Sequence, residues 1–222
     1  MVERQEDFDP ENLKEFEDKR PEWLKGRAAV LSDRDILRLF DEGEIKISPE
    51  PDWNEALNTN RVDLQLGKQF SRFDYTKLSC IDVSQPVPEG AVVREWVPDG
   101  GKIIIPPYEL ILAVTEERIE LPDYLVGRLE GKSSIARHGL RVEAAAWFDA
   151  GWKGNGAMEI VNQGRIPVIL YQGMPICSFS FLQLSSPTVR SYVERVNSRY
   201  KNQSAPDLGK TDQHQVFGRG ES

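Results

Sequence analysis

The run Ser178-Phe179-Ser180-Phe181-Leu182-Gln183-Leu184 opens by alternating small polar with large apolar side chains. That is the period of a strand with one face in a core. Working outward, the same period recurs in Arg61–Leu66 (RVDLQL) and Ile111–Thr115 (ILAVT). Shorter apolar runs, KIII at 102–105 and IPVILY at 166–171, are bounded by Pro, Gly or Asn. Many short strands with turn punctuation predict an all-β sandwich, jelly roll or barrel. One segment departs from this pattern. In LSDRDILRLF, 31–40, Ser32 is a helix N-cap, Asp35 completes a capping box, and Leu31 and Ile36 stand at staple positions. Leu37, Leu39 and Phe40 supply the apolar face, and Gly43 ends the helix before the short strand IKISP.

The 222 residues suffice for one domain with extensions. At 39% hydrophobic and 29% charged, the composition is that of a globular chain in water. The net charge of -8 disfavours bulk attraction to nucleic acid polymers or acidic membranes. The N-terminus MVERQEDFDP lacks the apolar core of a signal peptide, and no run approaches the ~18 apolar residues of a membrane span. Cys80 and Cys177 form no CxxC and read as packing residues, so a cytoplasmic, reduced protein is expected. Three regions are expected. Residues 1–30 form a charged extension, with a short helix opened by Pro10 that aligns Leu13 and Phe16, and with Trp23 and Leu24 free to pack on a neighbour. Residues 31–203 form the folded domain, and residues 204–222 a flexible tail.

The chain has two histidines, His138 and His214, and nothing in their spacing supports a Ser-His-Asp triad. It contains no HxE…PCxxC zinc set, no GxxxxGK[ST] and no GxGxxG. Hydrolytic chemistry therefore has to rest on carboxylates, hydroxyls and bound water. Two segments offer these groups. In GKSSIARHGL, 131–140, Lys132 and Arg137 supply positive charge and Ser133 and Ser134 supply donors, which suits a phosphate chain. The same residues also read as a charged turn with a surface arginine. In MEIVN, 158–162, Met158 and Ile160 share one strand face and Glu159 the other. There Glu159 is either a general base facing a cleft or a solvated strand glutamate. Between the two segments, AAAWFDAGWKG, 144–154, combines small side chains with a turn at 149–151 that lets backbone approach a ligand.

Taken in order, these segments resemble the dCTP deaminase family, in the superfamily shared with trimeric dUTPases. The resemblance spans about Leu31 to Gln203. It rests on LSDRDI…GEIKISP, RVDLQLGKQF, GKSSIARHGL, FDAGWKG, MEIVN, QGMPI and SYVERVNSRYKNQ. It implies a distorted, dUTPase-like β jelly roll with a few short helices, assembled as a homotrimer with active sites between subunits. It implies hydrolytic deamination of a cytosine nucleotide without zinc, with Mg2+ carried by the triphosphate and water. The expected ligands are dCTP and dUTP, with dTTP a candidate inhibitor.

Roles transfer position by position. Glu159 matches the catalytic glutamate, which takes a proton from the water that attacks C4. Ser133 and Arg137 match groups that orient this centre, and Arg137 beside Glu159 would favour the ionised carboxylate. Lys132, Ser133 and Ser134 match phosphate contacts, and Asp149, Ala157 and Met158 match nucleoside contacts. Tyr192, Arg199 and Gln203 match groups that close over the phosphates.

The chain departs from the family pattern in three places. Lys132 replaces the usual arginine, keeping charge but losing the bidentate fork, and Arg199 replaces a common lysine. The stretch EAAAWFD, 143–149, lacks the deaminases' Thr-Ala pair and is one residue shorter. The 13 positions from Ala136 to Asp149 equal the dUTPase spacing, yet the dUTPase catalytic aspartate position holds Val142, with Glu143 beside it and facing away from it. The tail VFGRG, 216–220, echoes the glycine-rich dUTPase lid. Two alternatives accompany the deaminase reading. One is a bifunctional enzyme or plain dUTPase giving dUMP and pyrophosphate, and the other is a non-catalytic nucleotide-sensing trimer.

Overall fold

A computed structural model of the chain describes residues 20–26, 28–88, 90–144 and 146–209. The helix at Pro10, the VFGRG segment and His214 lie outside the described residues. The expected helix spans Asp33–Asp41 (α1). Ser32 Oγ accepts from the Asp35 amide at 3.4 Å, and Leu31 and Ile36 are both buried, as cap and staple require.

Eleven strands follow among the described residues: β1 Lys46–Ser48, β2 Leu57–Asn58, β3 Arg61–Phe73, β4 Val92–Trp96, β5 Lys102–Ile105, β6 Leu110–Glu120, β7 Leu125–Gly131, β8 Leu140–Glu143, β9 Lys153–Asn162, β10 Val168–Tyr171 and β11 Pro175–Gln183. The two other helices are single turns, α2 Trp53–Ala56 and α3 Ser133–Ala136. Strands β6, β9, β8, β7, β11 and β3 pair in that order, and β3 pairs back onto β6. The six strands thus close into a barrel, which leaves no free edge among them. β1, β2 and β4 extend the sheet, and β5 pairs with β10 separately.

The opening motif is confirmed as the buried strand. In β11, Phe179 and Phe181 are fully buried, their rings 5.2 Å apart, and Phe148 packs on Phe179 at 5.1 Å. β7 accommodates this stack only through Gly127, because a Cβ there would stand 2.1 Å from the Phe179 ring. Gly127 and Phe148 exchange two backbone hydrogen bonds of 2.8 Å, which pin the end of the loop that leaves β8.

Residues 20–26 and 28–31 lie along β11. Leu24 is buried, its carbonyl accepts from Gln183 Nε2 at 2.8 Å, and Arg20 donates to the Ser185 carbonyl at 3.0 Å. Arg38 stacks over the Trp23 ring at 4.2 Å. Cys177 lies in the barrel wall and Cys80 is exposed, both free. Among the described residues no helix is long and apolar enough to cross a membrane.

Candidate active site

The GKSSIAR segment is where β7 ends and α3 begins. Lys132 precedes the single helical turn that holds Ser133 and Ser134, and the Arg137 amide closes that turn on the Ser133 carbonyl at 3.1 Å. Ser133, Ser134 and Arg137 are all exposed. Lys132 instead leans on β3, where its ammonium ion-pairs with Asp63. Ser178 Oγ donates to the other Asp63 oxygen at 2.6 Å. Burial pushes the Asp63 carboxyl up, but hydrogen bonds from Lys132 and Ser178 and the Lys132 charge outweigh it and hold it below the usual aspartate value. Sequence reasoning missed Asp63. Asp63 falls on the polar face of the alternating strand RVDLQL, where nothing in the sequence sets it apart from Arg61 and Gln65.

β9 carries the second cluster. Its burial alternates strictly, with Met158 and Ile160 in the core and Ala157 and Glu159 half-exposed on the other face. Glu159 stands in register with Leu112 of β6 on one side and Glu143 of β8 on the other, and Glu143 with Glu130 of β7. Three carboxylates thus run across adjacent strands on one face. Such like-charged neighbours repel unless they are offset. Arg128 binds Glu130 at 2.9 Å and Arg141 binds Glu143 at 2.6 Å, each from its own strand. Val142 points inward against Ile160 and is 5% exposed. A groove of about 410 Å3, lined by Arg128, Glu130, Glu143, Ala144, Ala146 and Trp147, opens beside this row. Glu143 was assigned no role from sequence, because only the β8–β9 register brings it opposite Glu159.

The C-terminal segment returns across the start of β9. The Tyr192 amide donates to the Ala150 carbonyl and the Asn155 amide to the Gln203 carbonyl, at 2.9 and 2.8 Å. Gly151 has φ +79 and lies so close to Ser191 that a Cβ would approach it to 2.5 Å. Asp149 is bridged by Arg195 at 3.5 Å, the Tyr200 amide donates to Tyr192 Oη at 3.1 Å, and Gln203 is buried. Arg199 lies half-buried in the same segment. One chain therefore brings Asp149, Tyr192, Arg199 and Gln203 to the Lys153 end of β9. α3 with Ser133, Ser134 and Arg137 lies toward the opposite end, where the Gln163 amide donates to the Gly139 carbonyl at 2.8 Å. The seven steps along the strand from Asn155 to Asn162 separate the ends by roughly 20 Å. Among the described residues no group of three His, Cys, Asp or Glu side chains is placed to hold a metal ion.

The chain is thus a closed β-barrel with a polar strand face, a short serine-bearing turn and a returning C-terminal segment. A solved dCTP deaminase from Agrobacterium tumefaciens has the same fold, with a TM-score of 0.54 and 17% identity, over 71% of this chain and 48% of that one. The family model described as dCTP deaminase-like matches residues 30–184. A dCTP deaminase of Thermomicrobium roseum is 48% identical over 179 residues, 80% of this chain and 91% of the relative. A dUMP-forming dCTP deaminase of Dictyoglomus thermophilum is 38% identical over 178 residues, 80% of this chain and 92% of the relative. The chain belongs to the dCTP deaminase-like family.

Proposed function

We propose that this chain is a hydrolytic dCTP deaminase, releasing dUTP and ammonia. The observation that carries the reading is the β8–β9 register. It puts Glu159 on the half-exposed face of β9 opposite Glu143, which lines the groove, and leaves Val142, the position a dUTPase base would occupy, 5% exposed with its side chain against Ile160. Glu159 takes a proton from a water held against the cytosine ring. The hydroxide adds at C4 as that proton passes to the ring nitrogen, and the hydroxyl proton of the adduct then passes to the amino group, which departs as ammonia and leaves a C4 carbonyl. The backbone at Ala157 and Met158, with the turn at Asp149, holds the nucleoside. Lys132, Ser133, Ser134 and Arg137 hold the triphosphate, and Ser133 and Arg137 also orient the water and Glu159. Mg2+ enters with the triphosphate as part of the substrate. Tyr192, Arg199 and Gln203 close over it.

The separation of the α3 cluster from the C-terminal cluster supports an assembled site, with α3 of one copy meeting β9 of the next. A closed homotrimer repeats that heterologous contact three times. The reaction is placed in the cytoplasm among free nucleotides, with dTTP competing for the same pocket.

A second reading, onward hydrolysis to dUMP and pyrophosphate, is favoured by the dUMP-forming Dictyoglomus relative. One product assay separates the two. The protein is incubated with magnesium and dCTP, then with dUTP, and products are resolved by ion-exchange chromatography. dUTP from dCTP, with added dUTP untouched, is the expected result. dUMP from either substrate would overturn it in favour of the second reading.

A further inference from the structure

The register of β9 depends on an irregularity in its neighbour. Between Val114↔Ala157 and Arg118↔Asn155, β6 advances four residues while β9 advances two. Two extra residues of β6 are therefore looped out opposite Gly156, a β-bulge of the special kind with more than one added residue. A second shift, between Leu66 and Phe70, lies on the β3 side of the same point. A bulge of this kind loses ladder hydrogen bonds, and side chains replace them here. Thr115, 1% exposed, accepts the Gly156 amide on Oγ1 at 2.8 Å and donates to the Glu117 carbonyl at 2.7 Å. Asn155 Nδ2 donates to the Thr115 and Glu116 carbonyls at 3.0 and 3.1 Å. The buried Glu117 carboxylate accepts the Gln65 amide of β3 on both oxygens, at 3.2 and 2.9 Å. The Asn155 backbone meanwhile donates to Gln203, so one residue touches the bulge with its side chain and the C-terminal segment with its main chain.

The consequence lies four positions away. A slip of one residue in β9 would exchange its two faces and carry Glu159 into the core. We propose that Thr115 and Asn155 are positioning residues for the deamination: they clamp the β6 bulge onto β9, hold the register that presents Glu159, and couple the docking of the C-terminal segment at Gln203 to that strand. The proposal rests on the reading of Glu159 as the catalytic carboxylate.

The test uses the full chain with Mg2+ and dCTP, comparing wild type, Thr115→Val, Thr115→Ser, Asn155→Ala and Glu159→Gln. Thr115→Val keeps the shape and leaves the Gly156 amide without its acceptor. It should lower kcat by about 10- to 100-fold, the scale of an ångström-sized misplacement, with KM changed less than about 3-fold. Thr115→Ser should restore kcat to within about 3-fold of wild type. Amide hydrogen exchange should rise together at 155–160 and at 200–205 in Thr115→Val and in Asn155→Ala. Wild-type kcat in Thr115→Val, or faster exchange confined to 155–160, would overturn the clamp. If Thr115→Val does not fold, Asn155→Ala, which deletes only two side-chain donor contacts at a half-buried position, carries both readouts. Full activity of Glu159→Gln would instead overturn the catalytic reading, while the exchange result would still judge the clamp.

Discussion

At the scale of single residues, the proposed mechanism gives Glu159 and Arg137 separable roles. Glu159→Gln keeps size and hydrogen bonding but cannot take the proton from water. Its deamination rate should fall by about 10²- to 10⁴-fold, the usual worth of a general base. dCTP affinity by calorimetry should stay within a few-fold. Arg137→Ala should lower rate and affinity together, because in the proposed mechanism one cation serves phosphate and catalytic centre. Lys132 shows how a departure from the family pattern is accommodated. As an ammonium it cannot fork onto a phosphate, and Asp63, anchored by Ser178, holds it in place.

Glu117 supplies the pH dependence. Burial pushes its carboxyl up to about 7, the amides of Gln65 and Glu117 itself oppose this, and the Glu116 charge adds to it. The folded state therefore binds this proton more tightly than the unfolded state does. The contribution is complete below the ordinary glutamate range near pH 4.5 and is lost as pH rises through about 7. Glu117→Gln removes the buried charge and keeps an acceptor for Gln65. The variant should be more stable than wild type at pH 8.5, by roughly 2–3 kcal/mol. That advantage should vanish toward pH 5 in thermal melts.

At the scale of elements, α1 was legible down to its cap, because Ser32, Asp35 and the Leu31–Ile36 pair act within one turn. The strands were legible wherever one face is buried, as in β9 and β11. Pairing was not, since register depends on partners far away in the chain. β8 is the clearest case. LRVE reads as a plain alternating strand, and only its pairing with β9 makes Glu143 a neighbour of Glu159 and Val142 a core residue. Gly127 is similar. Nothing around it in the sequence announces that the Phe179 ring occupies the space of its Cβ. Gly127→Ala should force that ring or the β7 backbone to shift, costing about 1–3 kcal/mol. A urea midpoint lowered without a change in slope would report it. An unchanged midpoint would mean that β7 yields freely at this point.

At the scale of the whole molecule, the two halves of the candidate site lie toward opposite ends of β9 in one chain. Co-expression of Arg137→Ala with Glu159→Gln tests whether a second copy joins them. Each variant alone should be nearly inactive, whereas mixed oligomers purified through two different tags should regain deamination, because some sites combine an intact Arg137 with an intact Glu159. Mixed oligomers as inactive as the parents would place both residues in the same chain's site.

The sequence by itself determined what depends on neighbours in the chain: the alternation that makes β9 and β11 two-faced, the cap of α1, and the short serine-bearing turn. Motif order from Leu31 to Gln203 was enough to place the chain in its family. The tertiary structure decided what depends on closure of the barrel. The β3–β6 pairing completes the ring, and the bulge at 115–117 sets the register of β9. That register decides which carboxylates share a face. The physical reason is range: propensity and periodicity act over a few residues, whereas register is set by hydrogen bonds and buried side chains contributed by strands distant in sequence.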